Sequence, residues 1–462
     1  MSDIFASRPA NSRMNDLNLG AGSLRYEEVR SKSGTPAHFG PSTSLQFEFS
    51  SAGRYVMLSE SYFEVHYTAF LKTAGGAIDA AASYVAYTST NTSSKGLGGA
   101  DTTCTMGLQE DWPDLAINSI RHSISGTQIS SSNDVALQRT VMKSAQSAGY
   151  NAAAASAFAA GTIKQRQDML QHGTKGAVGW CPPLGVWKSN TLIPGSAVQR
   201  IDIDVKDVSQ YLMQVHQPSS VHATGGLTSV NFKHASAGYS ASGYTTAVQA
   251  NQESYFSIDN IVLRVATVTA QDGRLPPASM LVETRDVEIQ RIPVGTQQTC
   301  DRQLLIPGST FKLAVFSQQD ADSDKASGRA AKPSLRSDTL ITSLSLHVDG
   351  MQLPAPEYTI DNDSARDIQR MYLDFLAANG SLYEEGVESG CSITFNDYQS
   401  RPMVMSRLVS QSGLAKDLLV RVRYAATNIT NKTIIVGAIH QRAMALTFDG
   451  SGNCTSVQVT GL

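Results

Sequence analysis

Across most of this chain, apolar and polar residues alternate one for one, and few runs carry the three-to-four spacing of a helix. That periodicity constrains the fold more than any other feature. Side chains of an extended strand point to opposite faces in turn, so strict alternation describes a strand with one face in a core. "SLQFEFS" puts Leu45, Phe47 and Phe49 on one face. "YFEVHYTAFL" does the same with Phe63, Val65, Tyr67 and Ala69, leaving Glu64, His66 and Thr68 opposite. "AVQRIDIDV" carries Val198, Ile201, Ile203 and Val205, and "YFSIDNIVLRVATVT" carries Ile261, Leu263 and Val265. The second half is denser, with "DVEIQRI", "FKLAVFS", "SLSLHVDG", "CSITFND", "LLVRVRYAA", "KTIIVGAI" and "MALTFDG". Many short strands and little helix predict an all-β chain of sandwiches or barrels.

Helical spacing is confined to a few places. "DIQRMYLDFLAANG" sets Ile368, Met371, Tyr372 and Phe375 on one face, with Gly380 as a stop. "DVALQRTVMKS" and "TIKQRQDMLQ" read as short helices. Three long polar excursions interrupt the strands, at about 75–101, 131–172 and 217–250, and read as surface insertions, which loops tolerate because closure entropy grows slowly with length.

The chain has 462 residues, enough for two or three domains. "QDGRLPPAS" joins an Asp-Gly turn to two prolines, which no central strand accepts. It marks the expected boundary. Residues 1–40 read as an N-terminal arm, 41–275 as a first sandwich with long surface insertions, and 276–462 as a second.

One five-residue stretch occurs in both halves: "LIPGS" begins at Leu192 and again at Leu305. In each copy a Pro-Gly step leads into an alternating run. Pro194, Gly195, Pro307 and Gly308 are therefore expected to set the start of equivalent strands, proline by fixing the backbone and glycine by permitting the turn. Gly308→Val is expected to strain the backbone. Asp349 and Gly350 are expected to form a tight hairpin turn between "LSLHV" and "MQL".

Composition narrows the function. Hydrophobic residues make up 41% and charged residues 17%, with a formal net charge of −3, and nothing in this balance suggests a broad basic surface for gripping nucleic acid. The five cysteines are widely spaced and form no CxxC pair, which argues against a thiolate metal site or a disulfide scaffold. The start lacks an apolar signal core and no 18-residue apolar run offers a membrane span. Asn-x-Ser/Thr sequons, among them those at Asn91, Asn379, Asn428, Asn431 and Asn453, fit chance in a chain rich in Ser, Thr and Asn.

No catalytic, cofactor-binding or metal-binding residue is expected. HExxH, GxGxxG, GxSxG and a Walker A loop are absent. Glu64 and His66 share a strand face, as do Asp202 and Asp204, but alternation alone produces such pairs. Arg421 and Arg423 share a face without a wider basic patch. Trp180 and Trp187 flank "CPPLGV". They read as packing at a sheet edge, with stacking on a sugar or base as the alternative.

The order "LVETRDVEIQRIPVG", "LLIPGSTFKLAVF", "LITSLSLHVDGMQLPAPEYTID", "MYLDFL", "CSITFNDYQSRPMVMSRL" and "LLVRVRYAATNITNKTIIVGAIHQ" resembles the second jelly roll of double jelly-roll major capsid proteins. The flavour is that of polinton-like viruses and virophages. "GWCPPLGVWKSNTLIPGSAVQRIDIDV" resembles the late part of the first jelly roll. The resemblance implies two tandem antiparallel sandwiches in a homotrimer of pseudo-hexagonal outline. It also implies neighbouring capsomers, penton and minor capsid or cement proteins, and an icosahedral shell around double-stranded DNA. It implies no enzyme activity, no cofactor and no sequence-specific nucleic-acid binding. Its place would be the capsid of the virion, assembled inside the host cell. A jelly-roll spike or penton-like protein binding a receptor or glycan is the alternative, with Trp180 and Trp187 as its binding candidates.

Overall fold

The computed structural model describes residues 24–33, 43–51, 53–73, 89–90, 103–108, 112–144, 174–189, 191–205, 212–216, 228–231, 252–269, 278–319, 341–359, 365–379, 395, 398, 403–409, 415–426 and 432–461. The first half begins with β1 (Leu24–Arg30), β2 (Thr43–Phe49), β3 (Arg54–Met57), β4 (Tyr62–Thr73), β5 (Ser89–Thr90) and β6 (Thr103–Leu108). Helix α1 (Trp112–Ala116), β7 (Ile117–Ile124), β8 (Thr127–Ser132), helix α2 (Val135–Ser144) and β9 (Thr174–Trp180) follow. It ends with β10 (Leu192–Pro194), β11 (Gln199–Val205), β12 (Leu212–His216), β13 (Thr228–Asn231) and β14 (Gln252–Thr269). The second half holds β15 (Ser279–Gly295), β16 (Thr299–Ile306), β17 (Thr310–Gln319), β18 (Ile341–Val348) and β19 (Met351–Thr359). Helix α3 (Ala365–Asn379), β20 (Val404–Arg407), β21 (Lys416–Tyr424), β22 (Lys432–Phe448) and β23 (Cys454–Gly461) complete it.

The same strand permutation is built twice. In the first half one sheet runs β1-β14-β4-β9 and its partner runs β2-β11-β7-β8. In the second half the sheets run β15-β22-β17-β20 and β16-β21-β18-β19. Strands β3 and β10 extend the first sheet along β14, and β23 pairs with β22. Counting the eight common strands of each unit in chain order, both give first-eighth-third-sixth facing second-seventh-fourth-fifth. Every pairing is antiparallel. This is an eight-stranded jelly roll, repeated.

Alternation fills the cores as expected, except that Val198 precedes β11 and is exposed. Leu45, Phe47, Ile201 and Ile203 from one sheet meet Phe63, Val65, Ile261 and Leu263 from the other. Each fully buried side chain of this size contributes about 1.5–3 kcal/mol. The second core is built likewise from Leu346, Leu418 and Val420 against strands β17 and β22. There Ile434–Ile439 is a continuous buried run, because helices cover the outer face of that sheet as well.

Two tight hairpins mark equivalent places in the two units. Ser125 and Gly126 (φ 46° and 84°) join β7 to β8, and Asp349 and Gly350 (φ 48° and 81°) join β18 to β19. Both central residues are left-handed in each, as a two-residue type I′ turn requires. Asp349 also accepts a hydrogen bond from the Asp417 N–H at 3.0 Å.

The "LIPGS" copies adopt the same local turn at different places in the repeat. Ala197 N–H donates to the Pro194 carbonyl, and Thr310 N–H donates to the Pro307 carbonyl, each at 3.0 Å. The first copy leads into β11, the seventh strand of its unit. The second leads into β17, the third strand of its unit, which lies in the other sheet. The strands are not equivalent, so the repeated architecture is real and the repeated pentapeptide is not its trace. Neither Gly195 nor Gly308 has a positive φ among the described residues. Glycine at 195 answers to space instead: a Cβ there would stand 2.1 Å from the Ser51 carbonyl oxygen.

Other expectations change too. Within residues 1–40, Leu24–Arg30 forms β1, paired along β14; its outward residues are largely exposed and carry no core pattern. The first and third excursions supply β5 and β13, which join the flanking strands β6 and β12 in a separate four-stranded sheet. "CSITFND" is not a strand at Phe395, whose backbone is helical. "TIKQRQDMLQ" and most of "QDGRLPPAS" lie outside the described residues.

Candidate functional site

The functional geometry of this chain lies in how the two units are joined. Strands β15 and β22 are each 17 residues long, more than one core needs. Their far ends place Met280, Val282, Met444, Leu446 and Phe448 in the first core. In exchange, Leu137, Val141 and Met142 of α2 enter the second.

Polar contacts reinforce the exchange. Asp286 on β15 accepts from Ser130 Oγ at 2.9 Å and from the Gly185 N–H at 2.8 Å. Arg442 on β22 lies 3.6 Å from the same carboxylate and donates to the Ile129 carbonyl at 3.4 Å. Arg291 pairs with Asp134, Asn379 Nδ2 donates to the Ser144 carbonyl at 2.9 Å, and Ser196 Oγ donates to the Gly452 carbonyl at 2.5 Å. Two close approaches need glycine. A Cβ on Gly185 would lie 2.1 Å from the Arg285 carbonyl oxygen, and one on Gly437 would lie 2.7 Å from Val141 Cγ2.

A buried ion pair anchors the first unit's side of the junction. Arg139 on α2 donates to Asp114 on α1 at 2.9 and 3.1 Å and also to the Cys181 carbonyl. Trp180 Nε1–H donates to the same Asp114 at 2.8 Å. Trp187 Nε1–H donates to His122 Nδ1 at 3.3 Å, and His122 Nε2 faces Gln199 Oε1 at 3.0 Å. This pattern assigns a neutral imidazole protonated on Nε2. Burial pushes the His122 pKa down to about 4, against an opposing pull from Gln199.

These contacts place the predicted residues. Trp180 and Trp187 are each 4% exposed, with rings packed on Phe63 at 5.4 and 5.5 Å. They offer no open face to a sugar or base, which corrects the binding alternative. Pro194 and Gly195 sit in the turn before β11, where Gly195 exchanges backbone hydrogen bonds with Arg54 and Ser51. Pro307 and Gly308 sit between β16 and β17, and Asp349 and Gly350 form a hairpin tip. The sequence held no local signal for the junction residues Asp286, Gly185 and Arg442, because their partners lie far away in the chain.

No chemistry converges elsewhere among the described residues. Asp202 is engaged by Arg200 at 3.0 Å. Burial raises the Asp204 pKa, but hydrogen bonds from Ser119 and Ser44 and the Arg121 charge outweigh it, and the net shift is downward. That is the reverse of a general acid. Among the described residues no group of three or more His, Cys, Asp or Glu could hold a metal ion, and no helix is long and apolar enough to cross a membrane.

The duplicated permutation and shared junction define a double jelly roll. The crystal structure of the mavirus major capsid protein is similar, with a TM-score of 0.56 and 12% identity over 98% of this chain and 92% of that one. A chain from the 3.5 Å cryo-EM structure of the Sputnik virophage is also similar, with a TM-score of 0.54 and 10% identity over 96% and 89%. At these identities the likeness is one of fold. No family model and no curated protein matches the sequence.

Proposed function

We propose that this chain is a major capsid protein. Three copies form a trimeric, pseudo-hexagonal capsomer, and capsomers tile an icosahedral shell around double-stranded DNA, completed by penton and minor or cement proteins. The capsid of the virion is its place, reached by assembly inside the host cell. The observation that carries this reading is end-to-end correspondence with the mavirus major capsid protein, over 98% of the chain, in a molecule whose two units are interlocked through their cores. Two sandwiches that exchange core elements present side surfaces as one block, which is what a tile requires.

The reading is structural rather than enzymatic, and the low net charge of −3 suits a wall better than a genome-binding surface. The four-stranded sheet of β5, β6, β12 and β13 supplies the projecting loops of such a tile. Electron microscopy of the purified protein tests the proposal. Particles with a hexagonal outline and three-fold symmetry are expected, and a field of single two-lobed molecules overturns it.

A further inference from the structure

Three buried polar side chains form a row across the sheet at the junction. His440 on β22 lies directly opposite Asp286 on β15 and, on its other side, opposite Thr310 on β17. Directly opposed residues of an antiparallel pair carry their side chains on one face. All three residues are buried. Asp286 is the one that ties this sheet to the first unit, since its Oδ1 accepts from the Gly185 N–H and Ser130 Oγ. Among the described residues its Oδ2 makes no hydrogen bond, and neither does Thr310 Oγ1. A buried carboxylate oxygen without a donor is costly.

The charges around the row are held unevenly. His440 Nδ1–H donates to the Ala438 carbonyl at 3.3 Å, which leaves Nε2 of the neutral ring as its acceptor nitrogen. Burial holds the His440 pKa below the ordinary 6.5; Asp286 and Glu288 on β15 pull it back up, and Arg442 on the same strand pushes it down. Glu288 accepts from Gln290 Nε2 at 2.8 Å, and Lys416 Nζ donates to the Thr310 carbonyl at 2.9 Å. From the first unit Lys188, at the end of the 3-10 turn Gly185–Lys188, acts on Asp286. Arg442 stands nearest to water. Its side chain is 38% exposed against 5% for Asp286, and its Nη1 lies 3.6 Å from Asp286 Oδ2 while donating to the Ile129 carbonyl of β8 at 3.4 Å.

We infer that His440 is an acid-operated release for the junction between the two jelly rolls. The neutral ring leaves Asp286 to Gly185, Ser130 and Arg442, and the units are tied. Protonated on Nε2, the ring gains a donor and a positive charge beside the Asp286 carboxylate. Two cations then compete for one buried anion. Arg442, the more exposed, gives way to solvent, and its bond to the Ile129 carbonyl goes with it. Asp286 turns its charge to the imidazolium, and Gly185 and Ser130 lose their share of it. An open junction brings His440 closer to water, so the open form takes the proton more readily than the closed one. The tie is therefore complete above pH 6.5 and weakens as pH falls below it.

Hydrogen exchange on the native full chain tests this at the Gly185 amide. Protection factors, corrected for the intrinsic dependence of exchange on pH, are compared at about pH 7.5 and about pH 5. Protection of the wild-type peptide carrying Gly185 is expected to fall about tenfold, the effect of one unit of pKa difference. In His440→Gln it is expected to hold. Asp286→Asn keeps an acceptor for Gly185 but removes the anion that draws the proton, so its fall is expected at lower pH. His122→Gln, the control for the other buried imidazole of this region, is expected to behave as the wild type. Thermal melting at neutral pH checks the folding of each variant. Unchanged protection in the wild type, an equal fall in His440→Gln, or a fall abolished by His122→Gln overturns the inference. Should His440→Gln not fold, the wild type decides alone. Exchange at the His440 ring carbon between its nitrogens, followed against pH by mass spectrometry, must show the same midpoint as the loss of protection at Gly185, and separate midpoints overturn the inference.

Discussion

The backbone N–H of Gly185 donates to Asp286 Oδ1 at 2.8 Å, tying the first jelly roll to the leading strand of the second. At the same point the Arg285 carbonyl stands where a Cβ on residue 185 would be. Backbone cannot rotate away as a side chain can. Gly185→Ala is therefore expected to destabilise the protein by about 1–3 kcal/mol or more. Asp286→Ala leaves the Gly185 N–H and Ser130 without their shared acceptor, with a loss of about 1–3 kcal/mol. Denaturant unfolding checks both; wild-type midpoints would show that this junction carries no stability.

The contact of Gly437 with Val141 calls for a different experiment, because Val141 is a side chain that can be trimmed. Gly437→Ala alone should lower the melting temperature. Val141→Ala on top of it should recover part of the loss, giving a coupling of about 0.5–3 kcal/mol in a double-mutant cycle. Strict additivity would mean α2 does not seat on β22.

Asp114 and Arg139 are expected to behave as a buried pair. Either one removed alone should cost about 3–5 kcal/mol, since it leaves a charge in the interior without its counter-charge. Asp114→Leu combined with Arg139→Met should cost less than the sum of the single changes. Equal costs under additivity would show that the pair is not coupled.

His122 sets a pH dependence. Its folded pKa, about 4, lies below the ordinary 6.5, so the unfolded chain takes up the proton first as pH falls. The stability it contributes is complete above pH 6.5 and is lost as pH drops from 6.5 towards 4. The loss amounts to roughly 3 kcal/mol over that window. Unfolding measured at intervals across it should show a shallower acid slope for His122→Gln than for the wild type. Identical slopes would contradict a neutral buried ring.

Glycines 195 and 350 separate two reasons for the same residue. At Gly350, with φ 81° and open space where a methyl would stand, alanine meets only left-handed backbone strain, about 1–2 kcal/mol. At Gly195 alanine meets the Ser51 carbonyl oxygen at 2.1 Å. Gly195→Ala should be the more damaging in thermal melts, and the reverse order would show that the turn before β11 can shift.

The strands were legible because alternation is local. "SLQFEFS" and "RIDIDV" point the residues that are buried, and "DIQRMYLDFLAANG" is α3, with Ile368, Met371 and Phe375 in the core. What alternation could not reveal is which core a segment enters. Nothing in "DVALQRTVMKS" says that Leu137 and Val141 pack in the second unit, or that Met444 and Phe448 pack in the first. Strand β1 left no such signal because Leu24 and Tyr26 face outward. The "LIPGS" match misled because a turn is set by a few local residues, whereas a strand's place in a sheet is set by distant partners.

The absolute mass of the native wild-type protein tests the central claim most directly. A trimeric capsomer requires about 148 kDa by light scattering, three times the 49.4 kDa chain. A single species of 49.4 kDa, persisting at high concentration in mild buffer, would contradict it.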